Sequence, residues 1–151
     1  MLGDCATSKD YQVKALSTRL KEKQEKIEQF IARLSEEAAN GKPIIVEGKK
    51  DARALKELGV NGAVFTVKTG GKSFLEAAVE IEKLGVGSVV LLLDFDKRGK
   101  EGTARLKRDL ERVRIAVDTR FWQQLQALVG REIQCVESMP AYLNTLQQKI
   151  Q

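Results

Sequence analysis

A chain of 151 residues with 42% hydrophobic content has room for one domain with a true core and is not a disordered tail. It contains no histidine, and its two cysteines, Cys5 and Cys135, stand far apart, which excludes a structural zinc site and a histidine general base. The net charge of +5 resides wholly in residues 97–114, where eight Lys or Arg face three Asp or Glu. The start, MLGDCATSKD, lacks a basic segment followed by an apolar run, and no stretch approaches the roughly 18 apolar residues that span a bilayer. The expectation is a soluble, cytoplasmic protein whose polar metal site, if it has one, is built from carboxylates.

Residues 9–39 read as one long helix. Val13, Leu20, Ile27 and Leu34 recur every seven residues, with Leu16 and Phe30 near the complementary positions and charged residues on the other faces. Asn40, Gly41 and Pro43 end it. Such a stripe serves either the domain's own core or a self-association or partner surface, and Lys23, between Leu16 and Phe30, argues against a long coiled coil.

Beyond Gly41, strand and helix alternate. PIIVE (43–47) is a strand, 50–58 a helix, and VNGAVFTVK (60–68) a β-rich segment closed by a turn at Gly70 and Gly71. Ser73, with Glu76 three residues on, caps a helix that runs to Leu84. VGSVVLLLD (86–94) is the central strand, because an apolar run without alternation suits a parallel strand covered on both faces. A basic helix follows at 101–111, then a strand at 112–117, a helix at 119–129, a last strand at 131–137 and a terminal helix at 141–149. Repeated units of this length imply a parallel, layered α/β sheet.

In such a sheet, ligands bind beyond the carboxyl ends of the strands. Glu47 ends one strand, and Asp94 ends the most apolar one, with Asp96 two residues later. If the two strands are parallel neighbours, the three carboxylates converge, and without a cation between them their pKa values rise. Magnesium, with manganese as a substitute, is the cation that suits oxygen ligands and substrate phosphates together. Gly48 lets the backbone turn beside Glu47. Asp51 either caps the following helix or contacts a lysine or a metal-bound water. In the basic stretch, Leu106 and Leu110 mark a buried side, and Arg105, Arg108 and Arg112 fall opposite. With Lys97, Arg98 and Lys100 they form a rim that leads a polyanion toward the acids.

VEGKKD (46–51) and LLLDFDKRG (91–99) together resemble the Toprim domain, the metal-binding module of bacterial-type primases, type IA and type II topoisomerases, old-family nucleases, a recombination protein and the 5S ribosomal RNA maturase. The likeness is strongest to small stand-alone archaeal Toprim proteins and to the maturase. The family's glutamate and the glycine after it fall on Glu47 and Gly48, its Asp-x-Asp acids on Asp94 and Asp96, and the glycine three residues later on Gly99. Asp51 matches the acid four residues after the glutamate in the primase and maturase branches.

The resemblance implies a three-layer, Rossmann-like α/β Toprim fold with a central, mostly parallel four-stranded sheet over residues 42–138. A helical extension (1–41) precedes it and a C-terminal helix (139–151) follows. It further implies magnesium-dependent phosphodiester chemistry on nucleic acid, with RNA favoured over DNA through the maturase. Glu47 would act as general base or metal ligand, Asp94 and Asp96 would hold one magnesium or two, and Lys97 or Lys49 would meet a phosphate oxygen. Lys49, Lys50, Arg98, Lys100, Arg105, Arg108 and Arg112 would grip the backbone. Neither Tyr11 nor Tyr142 sits where a topoisomerase nucleophile would. That leaves an RNA-processing nuclease as the first reading and a non-catalytic nucleic-acid-binding accessory protein as the alternative. Elsewhere, Trp122 is expected to pack in the core, Cys135 to be a small buried hydrophobe, and TGGK (69–72) to form a tight turn, since it lacks P-loop spacing.

Overall fold

The computed structural model describes residues 2–68 and 73–150, with side chains from residue 15 onward. TGGK (69–72), expected to be a turn, lies outside the described residues. The elements are α1 (Leu2–Ala39), β1 (Ile44–Val46), α2 (Lys49–Glu57), β2 (Val64–Thr66), α3 (Phe74–Lys83), β3 (Ser88–Leu91), α4 (Lys97–Arg112), β4 (Ala116–Asp118), α5 (Arg120–Val129), a 3-10 turn at Val136–Ser138, and α6 (Met139–Ile150). The strands form one sheet in the order β2-β1-β3-β4, with every pairing parallel.

Helices cover both faces. On one, Phe30 and Leu34 of α1, Leu55 of α2, Leu125 of α5 and Leu146 of α6 pack against Ile44, Val46, Val90 and Leu92. On the other, Ile81 of α3 and Leu106 and Leu110 of α4 close over Ile45, Val89, Leu91 and Leu93. Successive strand residues point to opposite faces. Because both faces are apolar cores, the run VVLLL needs no polar alternation. This is the expected three-layer α/β architecture, a parallel four-stranded sheet preceded by a long helix.

The stripe on α1 serves the domain's own core at Ile27, Phe30, Leu34 and Ala38, all buried. Its earlier part differs: Leu16 is 58% exposed, while Val13 lies outside the described side chains. Lys23 interrupts the stripe for a visible reason. Its ammonium pairs with Glu132 and stands 5.7 Å above the ring of Tyr142, so the stem covers apolar surface while the charge finds partners. Gly41, at φ +90, provides the left-handed residue that ends α1.

Three expectations are corrected. Residues 131–137 form no strand: Ile133 and Val136 are the buried positions, a spacing of three that fits a winding segment between α5 and α6, not a pleat. The strand expected at 112–117 begins only at Ala116, because α4 runs to Arg112 and Arg114 turns the chain at φ 65. The basic helix begins at Lys97, not 101, so Lys97, Arg98 and Lys100 are helical.

Candidate metal centre and basic rim

β1 and β3 lie side by side, yet the chain leaves them in opposite directions, through α2 to β2 on one flank and through α4 to β4 on the other. The two helices also lie on opposite faces. Their strand ends therefore open a crevice, the place where parallel α/β sheets bind ligands. Glu47 follows β1 directly, and Asp94 stands just past the extended end of β3. Oxygens of Glu47, Asp94 and Asp96 all come within 4.8 Å of one another. The adjoining cleft, about 480 Å³, is lined by Glu47, Asp51, Lys68 and Asp94 and by Lys49 and Lys50.

Each acid is held differently. Glu47 is 2% exposed, and neither of its oxygens accepts an aligned hydrogen bond from the described residues. Its counter-charge is Lys68, whose Nζ lies 2.8 Å from Oε2. Asp94 is partly buried, and that burial, with the charges of Glu47 and Asp51, pushes its carboxyl up to about 7; Lys68 opposes the rise and Asp96 adds to it. Asp96 is exposed and caps α4, its Oδ1 accepting from the Gly99 amide at 2.7 Å, which leaves the other oxygen for a cation.

Two residues fix the end of β3. A methyl group on Gly99 would lie 2.1 Å from the Asp94 carbonyl oxygen, so only glycine lets α4 start this close to the strand. The Trp122 indole donates to the Leu93 carbonyl at 3.0 Å. Trp122 is thus half-buried beside Phe95, as its apolar neighbours suggest, but it also anchors the backbone next to Asp94.

Asp51 is buried and joins two backbones: its carboxylate accepts from the Gly48 amide at 3.1 Å and from the Glu137 amide at 2.8 Å. The contact with Gly48 is a capping interaction at the start of α2. Burial raises the Asp51 pKa, and the two amide bonds oppose the rise. Gly48 itself is extended, at φ −142, with space for a Cβ. Its amide matters here, and the sharp turn expected of it is not needed. Asp51, Cys135 and Glu137 form a second group that could hold a divalent ion. Both Asp51 oxygens are already committed to amides, whereas those of Glu47 are not, so the Glu47 group is the better fit for a hard cation. Cys135 is half-buried at the cleft rather than a core hydrophobe, and burial raises its thiol pKa.

Cations stand at the starts of the two helices that follow these acids, and only those of α2 line the cleft itself. Lys49 and Lys50 begin α2, and Lys97, Arg98 and Lys100 lie in the first turn of α4. All five are exposed. Positive charge at a helix N-terminus opposes the macrodipole, by about 0.3–1 kcal/mol per residue at low salt. Lys97 does not line the cleft, and Lys50 lies 3.9 Å from Glu137. Further along α4, Arg105, Arg108 and Arg112 are exposed, and the last two flank a shallow groove over Ala104. Arg105 and Arg108, like Lys97, Arg98 and Lys100, have no ion-pair partner among the described residues. Arg112 only approaches Asp109, at 3.9 Å.

The Toprim domain model matches residues 41–119, more than half of the chain and both acidic motifs. The chain belongs to the Toprim family. This Toprim protein is 34% identical to UPF0292 proteins of Methanosarcina acetivorans and Methanosarcina barkeri over 125 residues, 83% of this chain and 85% of each of those. It is also 34% identical to the UPF0292 protein of Methanocaldococcus jannaschii over 120 residues, 80% of this chain and 91% of that one. A solved protein from Aquifex aeolicus shares the fold, with a TM-score of 0.59 and 24% identity over 73% of this chain and 94% of that one. Among the described residues, no helix is long and apolar enough to cross a membrane.

Lys68 is the site residue that the sequence reading missed. The signal was available: it ends VNGAVFTVK as Glu47 ends PIIVE, and a parallel partner strand puts its last residue at the same sheet edge. Glu137 and Cys135 carried no such signal, because the segment that delivers them is not a strand.

Proposed function

We infer that this Toprim protein binds the phosphate backbone of nucleic acid at a magnesium-loaded acidic centre, with RNA preferred. The observation that carries the reading is the set of five cations at the starts of α2 and α4. Each weakens its own helix, and an anionic ligand bound where both helices begin would reverse that penalty. The arginines of α4 extend the same rim along a backbone. Glu47, Asp94 and Asp96 would hold the metal, which suits Glu47's buried and otherwise unbonded oxygens. Magnesium held there would supply Lewis acidity toward a phosphoryl oxygen and lower the pKa of a bound water. The preference for RNA rests on the resemblance to the maturase, and the cytoplasm is the compartment that fits such work. The exposed early part of α1, at Leu16, is offered as a surface for a second copy or another protein.

Phosphodiester hydrolysis is the second reading. What favours it is that Glu47 is a buried carboxylate with no aligned donor, free to act as a general base or as a ligand, with Lys49 in the same cleft to meet a phosphate oxygen. Lys97, at the start of α4, would act in the same way on a substrate that reached it.

Wild type and Glu47→Gln are to be incubated with structured RNA, single-stranded RNA and duplex DNA, each with Mg²⁺, Mn²⁺ or chelator, and binding and products followed together. The expected result is metal-enhanced binding by wild type that the variant loses, while a metal-independent fraction held by the rim persists. Products from wild type alone would establish hydrolysis. Binding without products leaves the accessory role, and no binding to any of the three refutes the reading.

A further inference from the structure

We propose that Lys68 is a built-in stand-in for the divalent cation, holding Glu47 in the metal-free protein and passing to a substrate phosphate when metal takes its place. The inference rests on the metal centre argued above and names a residue that neither acidic motif contains.

Three observations carry it. The first is that Lys68 is placed by the backbone. Its amide donates to the Glu47 carbonyl at 2.8 Å, just past the end of the β1–β2 ladder, so the two side chains leave one sheet edge together. The second is the asymmetry of the pair. Glu47 is 2% exposed with Lys68 as its ion-pair partner and no aligned donor among the described residues, whereas the Lys68 side chain is 44% exposed at the mouth of the cleft. A buried carboxylate without a counter-charge is costly, which favours a cation beside Glu47 whether or not metal is bound. Lys68 can leave, however, because its flexible stem already reaches solvent.

The third is where Lys68 would go. Lys49 and Lys50, at the start of α2, line the same cleft as Lys68, so Lys68 released from Glu47 stands among cations of the rim. Cations that line one cleft beside an acid-held metal make a socket for one phosphate group. Binding of metal and of phosphate thereby become coupled through one side chain, and such coupling is reciprocal.

The test compares wild type, Lys68→Met and Lys68→Arg in two titrations. In the first, Mn²⁺ alone is titrated and the free ion followed by its electron paramagnetic resonance signal. In the second, a fluorescein-labelled RNA hairpin is titrated at saturating Mg²⁺ and in chelator. Without the resident ammonium, the metal no longer has to displace it from Glu47, so Lys68→Met should bind Mn²⁺ about two- to fivefold more tightly, the scale of one partly exposed ion pair. The same variant should lose most of the Mg²⁺-dependent gain in RNA affinity, and Lys68→Arg should keep it. If wild type binds Mn²⁺ and Lys68→Met binds it equally or less well, Lys68 is not a stand-in and the proposal falls while the metal centre stands. If tighter Mn²⁺ binding comes with an undiminished Mg²⁺-dependent gain, the hand-over to phosphate is refuted. If wild type binds no Mn²⁺, the metal centre and this proposal fall together.

Discussion

Asp94→Asn should make the metal-free protein more stable at alkaline pH, although it alters a residue at the centre of the site. In the folded chain, burial and the neighbouring charges of Glu47 and Asp51 raise the Asp94 carboxyl from 3.8 to about 7. The folded state therefore holds a proton that the unfolded state has lost between those two values, and stability falls as pH rises through that window. Above it the whole penalty is present. Taken at face value the rise corresponds to about 4 kcal/mol, which solvent screening at a half-buried group reduces to about 1–2 kcal/mol.

Asparagine keeps the shape and removes the charge. In a chain of this length the gain corresponds to about 2–8 °C in Tm, measured by calorimetry in chelator near pH 8. Near pH 4 the two proteins should melt together, because there the Asp94 carboxyl is protonated in the fold. About 10 mM Mg²⁺ should then raise the Tm of wild type near pH 8 and leave the variant almost unmoved, since only a bound ligand stabilises. A variant that melts at or below wild type in alkaline chelator would refute the electrostatic account of the cluster. So would an equal gain at both pH values.

Gly99→Ala should lower stability by about 1–3 kcal/mol and weaken Mn²⁺ binding, because a methyl 2.1 Å from the Asp94 carbonyl must displace the residue that carries the acid; wild-type Tm and affinity would show that the close approach has no role. Replacing Arg105, Arg108 and Arg112 with glutamine should weaken RNA binding and reduce the slope of log affinity against log salt by about 2–3. An unchanged slope would mean that the α4 face touches no phosphate.

Much of the fold was legible because its signals are local. VVLLL declared a strand covered on both faces, Ser73 with Glu76 declared a helix start, and the serine hydroxyl does accept from the Glu76 amide at 3.1 Å. Leu106 and Leu110 declared the buried side of α4 and are fully buried. What failed was set by space. Gly99 falls before the helix expected at 101–111, yet it lies within α4, pressed against the Asp94 backbone, and Gly102 is likewise held against the Phe74 ring, 2.4 Å from where a Cβ would stand. The span 131–137 alternates well enough on paper, but its true neighbours are α2 and α6, whose packing selects Ile133 and Val136. The acids were visible as strand ends. Their meeting depended on β1 and β3 being neighbours, and no residue in either strand records that.

Taken separately, both halves of the site work against the fold. Three carboxylates share a crevice in which, among the described residues, Lys68 alone is ion-paired with one of them, and five cations stand where two helix dipoles are already positive. The halves do not cancel each other directly, since apart from Lys50 near Glu137 the helix-start cations remain unpaired among the described residues while Asp94 stays strained. A ligand that relieved one half alone would leave the other uncompensated. A divalent cation held by the acids together with a phosphate at the helix starts would relieve both, because the cation's charge would answer the carboxylates and the phosphate would answer the helix starts. On that reasoning Mg²⁺ and RNA should each bind better in the presence of the other, and by the same factor. Measuring the Mg²⁺ affinity with and without the RNA hairpin, and the RNA affinity with and without Mg²⁺, closes the cycle; independent binding of the two would show that acids and rim serve different ligands.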